Sequence, residues 1–347
     1  MYGAAIWNDW DTWGLASLGL VTGNGKFNVN DGQLYNTYLD PAHSDFWDTI
    51  SFLYKAQQKG ILDPDAFTAK YDDIVAKGTQ GTLLSSVATW PFQQANADLL
   101  KQGADKGYVT IPLAWGQAYV GGSTVAGWGD RAYAITKNCK DPARAMDLIN
   151  FLVSEKGSRL IQSGVQGVHW DVVDGKPQIK PDVVQLRSAG GDAWKKTGIN
   201  MAANQQGLTD FTETSDGSIV NLFDTPEMYA TQNNSLTKDY NDHYGVTYPS
   251  EAYKKLADAG KVKTLDAMPQ DVVNAMPPMP DDIKRIDAKL RDTIIKGAPI
   301  VVLQSKDDAD YQKRQAALID QLTKAGADKW FEWYKQAFED TKAKIAG

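Results

Sequence analysis

From about Pro226 the sequence turns almost wholly helical, and this bounds the fold more than any other feature. Amphipathic runs at 281–296, 308–325 and 327–345 carry apolar residues at three- and four-residue spacing. A stiff connector, Met276-Pro277-Pro278-Met279-Pro280, precedes the first of them. The earlier part alternates. Ser44 to Lys59 has helical spacing at Phe46, Ile50, Leu53 and Tyr54, with Ser44 as N-cap and Gly60 as the stop. Asp63-Pro64 predicts a second helix running through Ala76. Thr82 to Thr89 reads as a buried strand ended by Trp90-Pro91, with a helix from about Phe92 to Gln102 after it. Tyr108 to Pro112 and Arg131 to Thr136 read as short strands, and Asp141-Pro142 opens an amphipathic helix over Ala143 to Val153. Asp174-Gly175 places a β-hairpin over His169 to Gln178. Alternation followed by helices is an α/β pattern with a helix-rich C-terminus.

The 347 residues suggest about two domains at ~150 residues each. The single cysteine, Cys139, excludes a disulfide scaffold and paired-cysteine metal motifs. Three histidines, His43, His169 and His243, stand far apart, which argues against histidine-based metal catalysis. The formal charge of -7 and the lack of a basic run argue against a nucleic-acid partner. No apolar window is long enough to span a membrane. The opening MYGAAIWNDWDTWG has no cationic start and carries Asp9 and Asp11, so it does not read as a signal peptide. It begins inside an aromatic stretch, and the expectation is that a preceding part of a longer protein is missing.

The compositional outlier is aromatic. Eleven Trp is about twice a typical ~1.3–1.5% usage, and fifteen Tyr accompany them. Tryptophan fills cores, and it also stacks on the flat apolar faces of sugars while polar neighbours bind the hydroxyls. Trp7 and Trp10 sit in a three-residue rhythm with Asp9 between them. Trp90 follows a strand, where open α/β sheets place ligands. Trp128 lies among glycines that let backbone approach a ligand. His169 and Trp170 stand at the head of the hairpin, beside Gln166. Trp330, Trp333 and Tyr334 follow helical spacing and read as core. Catalytic signatures are thin. Ser235-Leu236-Thr237-Lys238, Lys196-Thr197-Gly198 and Ser215-Asp216-Gly217 match serine acyl-enzyme motifs only in fragments and in the wrong order. A carboxylate pair for glycoside hydrolysis, with Asp9 and Asp11 the first suspects, is the competing chemistry.

Within residues 130–177 the run AYAITKNCKDPARAMDLINFLVSEKGSRLIQSGVQGVHWDVVDGKP resembles the extracellular solute-binding proteins of bacterial ABC importers, in particular the large oligosaccharide-binding lipoproteins that include alginate- and pectin-fragment binders. The shared pattern is K-N-x-x-x-P-x-x-A, then F-L-x-S-x-x-G, then G-x-E-G-x-H-(aromatic) and a D-G-K-P hairpin. Lys137, Asn138, Pro142, Ala145, Phe151, Leu152, Ser154, Gly157, Gly164, Gly167, His169, Trp170, Asp174, Gly175, Lys176 and Pro177 carry it here. FWDTISFLYKAQQKGILDPDAFT (46–68) and the stretch 294–341 are similar to the same family. Gln166 stands where the family usually has Glu, which keeps hydroxyl binding and loses charge-assisted strength.

The resemblance implies a type II periplasmic-binding-protein-like fold of two α/β lobes. Residues 1–107 and 176–347 would form one nearly complete lobe, and 108–175 a returning segment of the other. It implies a non-enzyme that binds an oligosaccharide in an inter-lobe cleft through Trp7, Asp9, Trp10, Trp90, Trp128, Gln166, His169 and Trp170. The bound form would deliver its sugar to an ABC transporter permease. It further implies a monomer with no cofactor and no metal site in this chain, held outside the cytoplasm in the periplasm or at the cell surface by a lipid anchor on the missing N-terminal part.

Overall fold

The computed structural model describes residues 1–7, 33–85, 92–103, 105–111, 117–120, 133–201, 207–210, 212–231, 233–261, 263–266 and 270–346. In chain order these give α1 (Asp45–Gln58), α2 (Tyr71–Thr79), α3 (Gln93–Gln102), β1 (Gln117–Val120), α4 (Pro142–Leu152), α5 (Glu155–Ser163), β2 (Trp170–Val173), β3 (Lys176–Ile179), α6 (Pro181–Ala189) and α7 (Gly191–Lys196). They continue with α8 (Pro226–Thr231), α9 (Ser235–Tyr244), α10 (Glu251–Asp258), β4 (Lys263–Asp266), α11 (Gln270–Ala275), α12 (Asp281–Gln304), α13 (Asp308–Ala325) and α14 (Ala327–Ala346). Two compact units result: Met1–Trp128 with Ser235–Gly347, and Gly129–Asn234.

These divisions differ from the 108 and 176 crossings expected from the sequence. Parallel pairing of β1 with β4, from Gln117↔Lys263 to Val120↔Asp266, ties 117–120 to the first unit. The antiparallel hairpin β2–β3 packs its Trp170 and Ile179 against Ile199, Leu222 and Phe223, so the second unit extends well past residue 176.

In the first unit, α1 begins where Ser44 Oγ accepts from the Trp47 N–H at 3.3 Å and donates to the Thr37 carbonyl at 2.7 Å. It ends before Gly60, whose φ of +66° is open to glycine at little cost. Phe46, Trp47, Ile50, Leu53 and Tyr54 form its buried stripe. That stripe meets α12, which buries Ile283, Leu290, Ile294, Ala298, Val301 and Val302. Helix α13 starts where Asp307 accepts from the Asp310 N–H at 2.8 Å, and packs so closely on α12 that a Cβ on Gly297 would lie 2.4 Å from Leu318. Trp330 of α14 is fully enclosed, with its Nε1–H donated to Asp287 at 2.8 Å. Tyr334 is buried and Trp333 packs at the edge of this core, as the spacing predicted.

Asp63-Pro64 opens a turn rather than the expected helix. Asp63 is fully buried, and its carboxylate accepts from Lys77 Nζ at 2.6 Å, so the chain reverses here and α2 begins only at Tyr71. Of the run 82–89, the described part carries a single parallel bridge, Tyr2↔Leu83. Residues 108–111 and 133–136, also expected as strand, are irregular.

The second unit is held differently. Asp141 caps α4 by accepting from the Arg144 N–H at 3.0 Å, with Pro142 in the first turn as expected. Asp174 (φ +51°) and Gly175 (φ +78°) turn the hairpin as their dipeptide predicts. Yet α4 buries no residue fully, and α5 buries Gly157, Ser158, Arg159, Gln162 and Ser163, a polar face.

Candidate binding loop

Residues Gly164 to Trp170 form a closed loop between α5 and β2. Ser163 Oγ donates to the Val220 carbonyl and accepts from the Leu222 N–H, each at 2.9 Å, which fixes where the loop starts. Gly164 then leaves the helix with φ +83°. The loop closes on itself: Trp170 Nε1–H donates to the Gly164 carbonyl (2.9 Å), the Gly167 N–H to the Trp170 carbonyl (2.7 Å), and the His169 and Val168 N–H groups to the Val165 carbonyl (2.8 and 3.2 Å). Lys180 adds its N–H to the His169 carbonyl at 3.0 Å and its Nζ to the Gly167 carbonyl. The His169 ring turns back so that Nδ1 accepts from the Val165 N–H at 2.9 Å. Gln166 is exposed and His169 half-buried.

Trp170 is only 8% exposed. One face lies under the Arg159 guanidinium, 5.5 Å from the ring centroid. That guanidinium is itself pinned by the turn 214–218. Nη1 pairs with Asp216, and Nη2 donates to Thr214 Oγ1 (2.6 Å), Ser218 Oγ (2.5 Å) and the Ile219 carbonyl (3.3 Å). The Arg159 contact, with help from Ser218 and Thr214, holds the Asp216 carboxyl well below the usual carboxylate range. At the neighbouring position the Ser215 hydroxyl and N–H both donate to Glu155, which lowers that carboxyl as well. Ser215-Asp216-Gly217 is therefore a structural turn on Arg159, and the acyl-enzyme fragment it matched is accounted for by packing.

The eight residues singled out from the sequence divide three ways. Gln166, His169 and Trp170 come together on the one loop. Trp170, however, is an anchor and not an open stacking platform, because Arg159 covers one face and the hydrophobic cluster of Ile179, Val183 and Phe223 holds the ring. Trp7 is likewise a correction. It is 1% exposed, edge-on to Tyr71 at 5.7 Å, within a core of Ile74, Leu83, Phe92 and Leu99, so its aromatic area is spent on packing. Asp9, Trp10, Trp90 and Trp128 lie outside the described residues. Sequence reasoning missed Arg159. The available signal was the polar stripe 158, 159, 162, 163 at helical spacing, with Thr214, Asp216 and Ser218 alternating some fifty residues later.

Among the described residues no group of three or more His, Cys, Asp or Glu is placed to hold a metal ion. No described helix is long and apolar enough to cross a membrane.

No protein-family model matches the sequence, and no curated relative matches it. Among solved structures, the chain is similar to the alginate-binding protein AlgQ2, in a crystal structure without calcium ion, with a TM-score of 0.55 and 16% identity over 97% of this chain and 64% of that one. The fold is that of a periplasmic-type solute-binding protein. An HMO-binding, ABC-transporter-associated solute-binding protein from Bifidobacterium longum infantis aligns with a TM-score of 0.49 and 18% identity over 96% of this chain and 65% of that one. The chain thus spans less than two thirds of either solute-binding protein. Both neighbours are named as binding proteins.

Proposed function

We propose that this chain is the ligand-binding part of a non-catalytic oligosaccharide-binding protein that serves an ABC importer outside the cytoplasm. The observation that carries the reading is the fold likeness to an alginate-binding protein across 97% of the chain. Three features of the sequence and structure support it. Tryptophan is in excess, and aromatic rings with polar neighbours are the chemistry that recognises sugars. The loop 164–170 carries two polar side chains, Gln166 and His169, on a backbone fixed by its own hydrogen bonds. The charged groups best engaged, Arg159 with Asp216 and Asp63 with Lys77, are paired with each other rather than poised for proton transfer. Ligand would be bound and passed to a permease without any bond being made or broken.

Native mass spectrometry with a pooled library of neutral and acidic oligosaccharides tests the proposal. An intact sugar mass on the protein is the expected result and names the ligand class. Shortened sugars accumulating in solution would replace the proposal with a glycoside hydrolase. No adduct at millimolar sugar, for a chain that melts cooperatively, would overturn it.

A further inference from the structure

We infer that His169 is set by the fold as a single-purpose proton donor, the Nε2–H tautomer, and that the ligand group it meets is an oxygen acceptor. The ligand half of this rests on the oligosaccharide reading above; the tautomer half does not. An imidazole nitrogen that accepts from a backbone N–H keeps its lone pair for that bond, so the ring proton sits on the other nitrogen. His169 Nδ1 accepts from the Val165 N–H at 2.9 Å. Nε2 has no hydrogen-bond partner among the described residues and is not sealed from solvent.

The backbone is shaped for this contact. Val165 and His169 are joined a second time, from the His169 N–H to the Val165 carbonyl at 2.8 Å, which brings the ring back over the start of the loop. Gly164 leaves the room. A Cβ there would lie 2.4 Å from Nδ1 and 2.8 Å from Cγ, and the φ of +83° disfavours any other residue. A neutral histidine free to change tautomer could offer a ligand either a donor or an acceptor. This one offers only a donor. Gln166, two residues beyond Gly164, adds an exposed amide that donates or accepts. The oxygen met by His169 can be a sugar hydroxyl or a uronate carboxylate, which share the acceptor chemistry.

Two substitutions separate a ligand contact from a loop fastener. The amide of Gln reaches about as far as Nε2, and that of Asn about as far as Nδ1. His169→Gln keeps the outer donor and gives up the Val165 bond, whereas His169→Asn keeps an acceptor for Val165 and loses the outer donor. Titration calorimetry of wild type and both variants would use an alginate tetrasaccharide and cellotetraose. The expected result is that His169→Asn binds roughly 3- to 10-fold more weakly than His169→Gln, the weight of one hydrogen bond. Preference for the acidic or the neutral sugar then says which oxygen is met. If His169→Asn binds as well as or better than His169→Gln, the donor role is overturned.

Nitrogen-15 NMR of the His169 ring, on the ligand-free chain, reads the tautomer directly. The expected spectrum has the proton on Nε2, with Gly164→Ala shifting the population toward Nδ1–H as the added methyl displaces the ring. A major Nδ1–H form in the wild type overturns the inference whatever the sugars do. If the wild type takes up neither sugar, the oligosaccharide reading and the ligand half fall together, while the tautomer is still decided.

Discussion

Helices α12 and α5 solve the same problem in opposite ways. Helix α12 buries Ile283, Leu290, Ile294, Ala298, Val301 and Val302 against α1 and α13, so its place is fixed by apolar area removed from water. Helix α5 buries Ser158, Arg159, Gln162 and Ser163 and leaves Leu160 exposed. Each of these side chains finds a directed partner, Ser158 donating to the Leu152 carbonyl at 2.9 Å and Gln162 to the Leu208 carbonyl at 2.7 Å, while Arg159 Nε and Gln162 Oε1 are buried without one among the described residues. Apolar burial tolerates substitution by residues of similar size, whereas a buried hydrogen-bond network tolerates very little, because a lost partner leaves a desolvated group behind. The polar face is the costlier way to seat a helix. It is also the way that fixes a loop geometrically, and the loop it fixes is the one bearing Gln166 and His169.

The sharpest way to break this contrast is at the apolar end. Trp330→Ala removes a ring with no exposure and the N–H that Asp287 Oδ1 accepts, leaving that carboxylate its Arg291 pair at Oδ2. A loss of about 3–5 kcal/mol is expected, as for other large aromatics cut from a core. Urea unfolding measures it, and hydrogen exchange should rise first along 281–304 and leave α5 unchanged.

Arg159→Met tests the polar end with the helix length and side-chain bulk kept. Its loss should be smaller, about 2 kcal/mol, because Asp216 is 40% exposed and can return to water. The signature is local. Amide protection at Ser218, whose N–H donates to Asp216 at 3.0 Å, should fall, and Trp170 fluorescence should shift as the guanidinium leaves its ring. Unchanged protection would mean the turn 214–218 holds itself.

The same pair has a pH signature that the apolar end lacks. Arg159 first, then Ser218 and Thr214, hold the folded-state pKa of Asp216 below its ordinary value. A depressed carboxyl contributes stability that is fully present above the unfolded pKa, about 4, and is lost as pH falls from there through the lower folded value. Acid unfolding of the wild type should therefore steepen below about pH 4. Asp216→Asn should remove that steepening while Trp330→Ala keeps it.

The contrast also explains what the sequence disclosed. The C-terminal helices, the Ser44 and Asp141 caps and the Asp174-Gly175 hairpin rest on local rules, periodicity and turn chemistry, and those operate within a dozen residues. Asp63-Pro64 obeys a local rule too, but Lys77 reaches back to bury the carboxylate, and a partner fourteen residues away decides the matter. Arg159 depends on residues 55–60 positions distant, which no window reveals. The resemblance picked out Gln166, His169 and Trp170 as neighbours; only the coordinates divide them into an exposed amide, an oriented imidazole and a buried anchor. Trp7 shows the limit of composition, since a tryptophan count does not say whether a ring faces a ligand or a core.

The smallest effect is expected on α4, where sequence and structure part most. Met146, Leu148 and Phe151 sit on a helix whose apolar pattern promises burial, and they are 47, 58 and 38% exposed. A residue that already meets water gives up little when made polar, so Leu148→Gln should change stability by less than about 0.5 kcal/mol. Leu290→Ala, an apolar truncation on α12, should cost about 2–5 kcal/mol. Thermal melts of the two variants side by side set the scale. A large loss at Leu148 would show that this face is covered in solution, and would move α4 from the side of α5 to the side of α12.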